Sequence, residues 1–184
     1  SLGEKNRKKL EVARVQPPKN PSGSPLVAKR ASDRENYFRE YAEYLDLDSG
    51  GLSSSEIAMK LLNVIDQKAG EVMEELEAGI TRSKSQLCEH SSQAAEEKLW
   101  IHHSIPHLMP ILEVARTAHL RGLSAIETNH PAVAFSSAVI CLRLRGLIQS
   151  ELMVGLIVAK NIDRWALDVI RYGIEKRIWS DDQL

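Results

Sequence analysis

A stripe of apolar residues between positions 57 and 80 constrains the fold more than any other feature of the sequence. Its members recur every three or four residues, and the chain has no proline from Ser53 to Trp100. This spacing is typical of an amphipathic helix that buries one face, and Ser53 with Glu56 forms a capping box at its start. Beyond Ile80 the apolar rhythm thins. We therefore predict one long amphipathic helix with this buried stripe: Ile57, Leu61, Ile65, Ala69, Val72, Leu76 and Ile80.

The length of this helix bears on assembly. A helix of about 30 to 45 residues would be roughly 45 to 70 Å long, which is more than a compact body of 184 residues needs. We expect part of the stripe to be covered by another chain.

Other segments also have helical patterns. Residues 32 to 35, "SDRE", form a second capping box before a run with one aromatic face, which we interpret as a docking face for another helix and not as a base-stacking platform. Residues 131 to 160 start at Pro131, with Asn129 or His130 as cap, and are apolar on almost every face, which is typical of the central helix of a bundle or of a helix buried between subunits. The last segment is amphipathic, with Ile174 predicted inward and Asp168 outward. We predict an all-α fold in which residues 32 to 184 form one antiparallel helical bundle.

Four of the six histidines lie in "WIHHSIPHLMPILEVARTAH", residues 100 to 119. His103 and His107 are four residues apart, a spacing that can place two zinc ligands on one helix face. Pro106 lies between them and Pro110 follows, so we expect a corner between two helices in place of a shared face. The sequence therefore predicts structural histidines and no metal site.

The stretch "AHLRGLSA", residues 118 to 125, is similar to the phosphoacceptor motif of histidine phosphotransfer domains. That motif has a lysine three residues and a glycine four residues after the histidine, whereas Arg121 and Gly122 follow His119 by two and three. On a helix, the slip of one residue turns the cation by about 100° away from the histidine. Phosphotransfer is therefore not predicted.

Two arginines in the apolar segment need partners. Arg143 and Arg145 are about 200° apart on a helical wheel, so we expect at least one of them to face protein and to form a buried ion pair. The candidate carboxylates are on other predicted helices: Glu113, Glu127, Asp163 and Asp168.

Charge divides the chain into two parts. Residues 1 to 32 contain eight Lys or Arg and two Glu, with four of the seven prolines, whereas the rest is acidic, with 16 basic and 23 acidic residues. We interpret residues 1 to 31 as an arm that is extended or disordered in isolation: either a solvated linker or a segment that contacts nucleic acid, an acidic protein surface or a neighbouring subunit. The candidate contacts with phosphate or an acidic partner are Lys5, Arg7, Lys8, Lys9, Arg14, Lys19, Lys29 and Arg30.

Cysteine usage and hydropathy limit the compartment and the class of protein. Cys88 and Cys141 are far apart and match no metal or redox spacing, and no apolar run is typical of a signal peptide or membrane span. We expect the cytoplasm or another reducing intracellular compartment.

The motifs favour a non-enzymatic role. We find no nucleophile with a base at a familiar spacing, no glycine-rich phosphate loop and no set of metal ligands, and so expect no catalytic residues and no cofactor. The sequence predicts a protein that self-associates or binds a protein partner as a scaffold or structural component. The alternative is a nucleic-acid-associated helical protein, nucleocapsid-like or regulatory, whose basic arm contacts phosphates.

Overall fold

A computed structural model describes residues 31–80, 101–148 and 153–180 of the chain. These residues form five helices and no strand, so the predicted all-α class is confirmed for the described part of the chain. None of the described helices is both long enough and apolar enough to cross a bilayer. The helices are α1 (Ala31–Tyr44), α2 (Ser54–Ile80), α3 (Ile101–Glu127), α4 (Pro131–Gly146) and α5 (Met153–Glu175).

Helix α2 starts at the predicted capping box. The backbone N–H of Ser53 donates to Oε2 of Glu56 over 2.8 Å, and the N–H of Glu56 lies 3.4 Å from Oγ of Ser53. The first four positions of the predicted stripe are buried, but Met73 is fully buried where the pattern placed Val72, which is only partly buried. Residues 81–100 lie outside the described part, so a continuation of this helix beyond Ile80 stays a prediction.

Three helices end on a residue in the left-handed region. Asp46, Asn129 and Arg177 have φ of 57°, 59° and 54°. In each case the next residue donates its N–H to a carbonyl five residues earlier, as from His130 to Ala125 over 2.7 Å, which is the hydrogen bond of a Schellman motif. His130 is then the N-cap of α4 and Pro131 opens that helix, as the sequence predicted.

Helix α3 is the centre of the bundle and contacts α2, α4 and α5. All ten residues from 117 to 126 are buried. Gly122 permits the close approach of its neighbours, because a Cβ there would lie 3.0 Å from both methyl groups of Val169 on α5 and 3.2 Å from Cβ of Ser137 on α4. Gly122, three residues after His119, therefore has a packing role.

The predicted corner in the histidine segment is wrong. Helix α3 begins at Ile101 and continues through Pro106 and Pro110. The two prolines remove only two backbone hydrogen bonds near the N-terminus of a 27-residue helix, whose stability comes from the packing of its buried second half. The side chains of residues 101–107 lie outside the described part, so the absence of a metal site there stays a prediction.

Candidate functional site

A buried polar centre joins α1, α3 and α5 around His119. Its Nε2 lies 3.0 Å from Oδ2 of Asp168, and its Nδ1 lies 3.4 Å from the hydroxyl of Tyr37. Asp168 accepts the hydrogen bond from Nε2–H of His119, and Nδ1 is within hydrogen-bond distance of the Tyr37 hydroxyl. Both His119 and Asp168 are less than a tenth exposed, at 4% and 7%. Burial raises the pKa of Tyr37 well above its ordinary value, which keeps this phenol a hydrogen-bond donor.

Arg34 attaches α1 to α5 beside this histidine. Its Nη1 donates to Oε2 of Glu175 over 2.9 Å, and its Nη2 lies 3.8 Å from Oδ1 of Asp168. The guanidinium carbon is 3.7 Å from the centroid of the Tyr172 ring, within cation–π range. The hydrogen bond from Arg34 is also the main reason why the pKa of Glu175 is lowered.

Aromatic rings enclose the histidine. The Trp165 ring stacks on His119 with centroids 5.9 Å apart and an interplanar angle of 17°, and the Arg116 guanidinium lies 5.5 Å from the Trp165 centroid. A histidine with an aspartate is a pair that acid–base catalysis uses, but here its ring nitrogens already bond to protein and its surroundings are closed. Among the described residues, no group of three or more His, Cys, Asp or Glu could hold a metal ion. The geometry is that of a clamp between helices.

Sequence reasoning missed this polar centre. It placed Asp168 on the outer face of the last helix, whereas Asp168 is buried between Trp165 and Tyr172 on one face of α5. The three residues are spaced i, i+3 and i+7, which is the one signal in the sequence that they share a face. Their partners Arg34 and His119 come from helices far away in the chain, and no local pattern connects them.

A second buried cation lies on the other side of α3. Arg121 donates from Nε to Oδ1 of Asp66 and from Nη1 to Oε1 of Glu77, each over 2.9 Å, and Ser136 donates to the same Glu77 oxygen over 2.6 Å. These contacts join α2, α3 and α4. The role that the sequence assigned to Arg143 or Arg145 is therefore filled by Arg121.

The predicted burial of Arg143 or Arg145 is not found in the single chain, because both side chains are exposed. Arg145 does pair with Asp163, one of the expected carboxylates, but the two groups are 50% and 41% exposed and 3.3 Å apart. Arg143 lies on the exposed side of α4, and Arg145 lies in its last turn, after the last buried residue, Leu144. A position on the inner face leads to burial only where a neighbouring helix covers it.

The basic arm is outside the part of the chain that the structure describes. All eight candidate contacts fall in residues 1–30, so their binding to phosphate or to an acidic partner stays a prediction: Lys5, Arg7, Lys8, Lys9, Arg14, Lys19, Lys29 and Arg30.

Large apolar side chains on the outer side of α5 form an exposed stripe. Five of them are between 52% and 77% exposed, including Ile174, which the helical pattern placed inward. A folded chain rarely leaves so many aliphatic side chains of one helix in water, and a contiguous apolar patch usually marks a binding surface. The five residues are Met153, Leu156, Ile157, Leu167 and Ile174.

The neighbouring helix α4 contributes further exposed apolar side chains beside this stripe. Phe135, near the start of α4, contacts Trp179 after α5, with centroids 6.2 Å apart, and Arg145, at the end of α4, reaches Asp163 within α5. These two contacts show that the helices are antiparallel and place Leu142 at the level of Leu167 and Phe135 at the level of Ile174. Phe135 and Leu142 are themselves about two fifths exposed. We call these two residues and the five on α5 the α4–α5 face.

A function can be argued from three features of the described residues. They are the clamp around His119, Asp168 and Arg34, the cluster of Arg121 with Asp66 and Glu77, and the α4–α5 face. Comparisons with protein-family models, curated proteins and solved structures give no match. The assignment of a function therefore rests on the chemistry of these residues. The clamp is buried, Arg121 is buried but its partners Asp66 and Glu77 are partly exposed, and the α4–α5 face is open to a partner.

Proposed function

We propose that this chain is a non-enzymatic assembly protein that binds another protein chain through the α4–α5 face. The observation that carries the proposal is the row of five aliphatic side chains on α5 that are more than half exposed. Burying one leucine or isoleucine side chain completely stabilises a complex by about 1.5–3 kcal/mol. Covering the exposed parts of five such side chains would supply several kcal/mol before the cost of association.

The size of the face is that of a protein interface. Met153 and Ile174 are separated by 21 residues of helix, or about 32 Å, and two packed helices are about 20 Å wide. The flat area of this surface is roughly 600 Å², and its projecting side chains add to that area. The total approaches the ~800 Å² that each partner contributes to a standard interface.

The polar groups of the described residues support a structural role. The His119–Asp168 pair is enclosed by Trp165 and Tyr37 and linked to Arg34, so its hydrogen bonds are used in holding α1. Arg121 is used in the same way between α2 and α3. Both buried cations have carboxylate partners on neighbouring helices, while Nε and Nη2 of Arg34 and Oδ1 of Asp168 make no hydrogen bond within the described residues.

The experiment compares two double variants by sedimentation and by recovery of bound proteins. Leu156→Glu with Leu167→Glu places two charges in the face, and Met59→Glu with Met109→Glu places two charges at exposed methionines of α2 and α3. We expect the unaltered chain and the methionine control to form a complex heavier than the 20.6 kDa chain, and the leucine variant to lose it. A monomeric chain that recovers no protein in a face-dependent manner would contradict the proposal.

The second candidate function rests on a different observation, the eight basic residues of the arm. An extended cationic segment can follow a phosphate backbone, and each neutralised phosphate adds about 0.9 to the salt slope on duplex DNA or about 0.7 on single strands. Deleting residues 1–31 tests it. Loss of a salt-dependent affinity for RNA or DNA would support this candidate, and an unchanged affinity would exclude the arm as the binding segment.

A further inference from the structure

We infer that the partner of the α4–α5 face is a second copy of this chain, with α5 packed antiparallel against α5 of that copy. The inference rests on the proposed function and names its partner. It follows from the order of apolar and charged residues along the exposed side of α5.

The exposed side of α5 has a heptad pattern. Met153, Lys160, Leu167 and Ile174 follow one another at steps of seven, and Leu156, Asp163 and Ile170 each lie three residues after one of the first three. Sevenfold spacing of this kind places both sets along one seam, the arrangement of a two-stranded coiled coil. The seam is open in the single chain, since most of its residues are exposed and Asp163 and Ile170 are partly so.

Charge selects the direction of the pairing. In a parallel pair, Lys160 would lie beside Lys160 of the second copy, and two like charges would meet in the middle of the seam. In an antiparallel pair about an axis between residues 161 and 162, Lys160 faces Asp163 of the second copy. The symmetry repeats this contact, so the centre of the interface holds two opposite-charge pairs.

The same register aligns the apolar residues. Leu156 faces Leu167 of the second copy, and Met153 faces Ile170, again twice each by symmetry. A slip of one heptad would place Asp163 against Leu167 and Lys160 against Ile170, which would leave both charges facing apolar groups. The register with its axis between residues 161 and 162 is therefore the one that satisfies charge and apolar contacts together.

The pairing groups are available in the single chain. Within the described residues, no carboxylate pairs with Lys160, and Asp163 contacts only the half-exposed Arg145. In the dimer the Asp163 carboxylate would lie between Arg145 of its own chain and Lys160 of the other. One carboxylate has two oxygens and can accept from both cations.

Charge reversal tests the pairing. Lys160→Glu alone and Asp163→Lys alone each create two like-charge contacts, so each should raise the dissociation constant of the dimer by about tenfold or more. Their combination exchanges the charges and should restore dimerisation to near the original value. Lys68→Glu, at an exposed site on α2, is the matched control and should change nothing. If the double variant dimerises no better than the single variants, the proposed pairing is wrong.

Distances between spin labels test the direction. In a Cys88→Ser chain, labels at Arg164→Cys should be separated by about 7 Å along the helix axis and labels at Arg171→Cys by about 28 Å, because 1.5 Å of rise accumulates on both sides of the twofold axis. Equal separations at the two sites would show a parallel pair and overturn the inference.

The result also separates this inference from the proposed function. Suppose that the chain stays monomeric at tens of micromolar and binds a different protein, and that the Leu156→Glu, Leu167→Glu variant no longer binds that protein. The second copy is then the wrong partner, and the assembly role stands. If the chain is monomeric and the variant loses nothing, both are wrong.

Discussion

Replacing Asp168 by asparagine tests whether the buried polar centre stabilises the fold as a clamp. The asparagine has nearly the same shape and can still accept the hydrogen bond from Nε2 of His119 at 3.0 Å, so the change removes mainly the charge. Among the described residues, Arg34 then keeps only Glu175, 2.9 Å away, as an anionic partner. Because Arg34 is buried, its charge has little water to compensate for the loss.

The expected magnitude follows from these contacts. A hydrogen bond to a charged group contributes about 1.5–3 kcal/mol and a neutral one about 0.5–1.5 kcal/mol, so the His119 contact loses roughly 1 kcal/mol. Removing one partner of a buried ion pair costs about 3–5 kcal/mol when no other partner remains, and Glu175 reduces that for Arg34. We expect the free energy of unfolding to fall by about 2–3 kcal/mol, or Tm by roughly 5–10 °C.

Urea denaturation followed by circular dichroism measures the change, with a constant m-value showing that only stability is altered. Glu74→Gln is the control, because Glu74 is exposed on α2 and its substitution should change the free energy of unfolding by less than about 0.5 kcal/mol. In an Arg34→Met chain the Asp168→Asn change should be less damaging, since the guanidinium that it isolates is gone. If Asp168→Asn destabilises the chain no more than Glu74→Gln does, the clamp is not a source of stability.

Three further predictions concern the backbone and the buried thiol. Arg177→Gly should raise the free energy of unfolding by about 0.5–1 kcal/mol, because φ of 54° favours glycine, whereas Arg171→Gly inside α5 should lower it by about 1 kcal/mol; equal effects in urea denaturation would refute this. Gly173→Ala should destabilise the chain by about 1–3 kcal/mol and perturb near-ultraviolet circular dichroism, because a Cβ there would overlap the Trp179 indole. In a Trp179→Ala chain the same change should instead raise the free energy of unfolding by about 0.5–1 kcal/mol, as expected for alanine in place of glycine in a helix, and an equal loss would contradict the stated cause. Burial raises the pKa of the Cys141 thiol from near 9 to about 12, so its contribution to stability is complete below pH 9 and is lost as the pH rises to 12. Stability should therefore fall more steeply over this range in the unaltered chain than in Cys141→Ala, and parallel curves would exclude the effect.

Part of the candidate site could be predicted from the sequence. The apolar residues on almost every face of segment 131 to 160 indicated either the central helix of a bundle or a helix buried between subunits, and the exposed residues Met153, Leu156 and Ile157 of the α4–α5 face come from that segment. The pattern did not predict that Ile174 would join them. Its position on the wheel borders the buried face of α5, and whether a border position is covered depends on which helix lies beside it.

The all-α class, the capping box at Ser53 and the start of α4 at His130 and Pro131 were determined by the sequence alone. These features depend on residues within four positions of one another, where helix periodicity and capping act. Tertiary structure decided how α3 continues through Pro106 and Pro110, because packing further along the helix compensates for the lost hydrogen bonds.

Tertiary structure also decided which charges are buried. Arg34 pairs with Glu175 across 141 positions of the chain, His119 with Asp168 across 49, and Arg121 with Asp66 across 55. Helical periodicity identifies the face on which a side chain lies, but a buried charge is stable only where a distant helix brings an opposite charge within hydrogen-bond distance. That meeting depends on how the helices pack, which is why the sequence pointed to Arg143 and Arg145 while the folded chain buries Arg34 and Arg121.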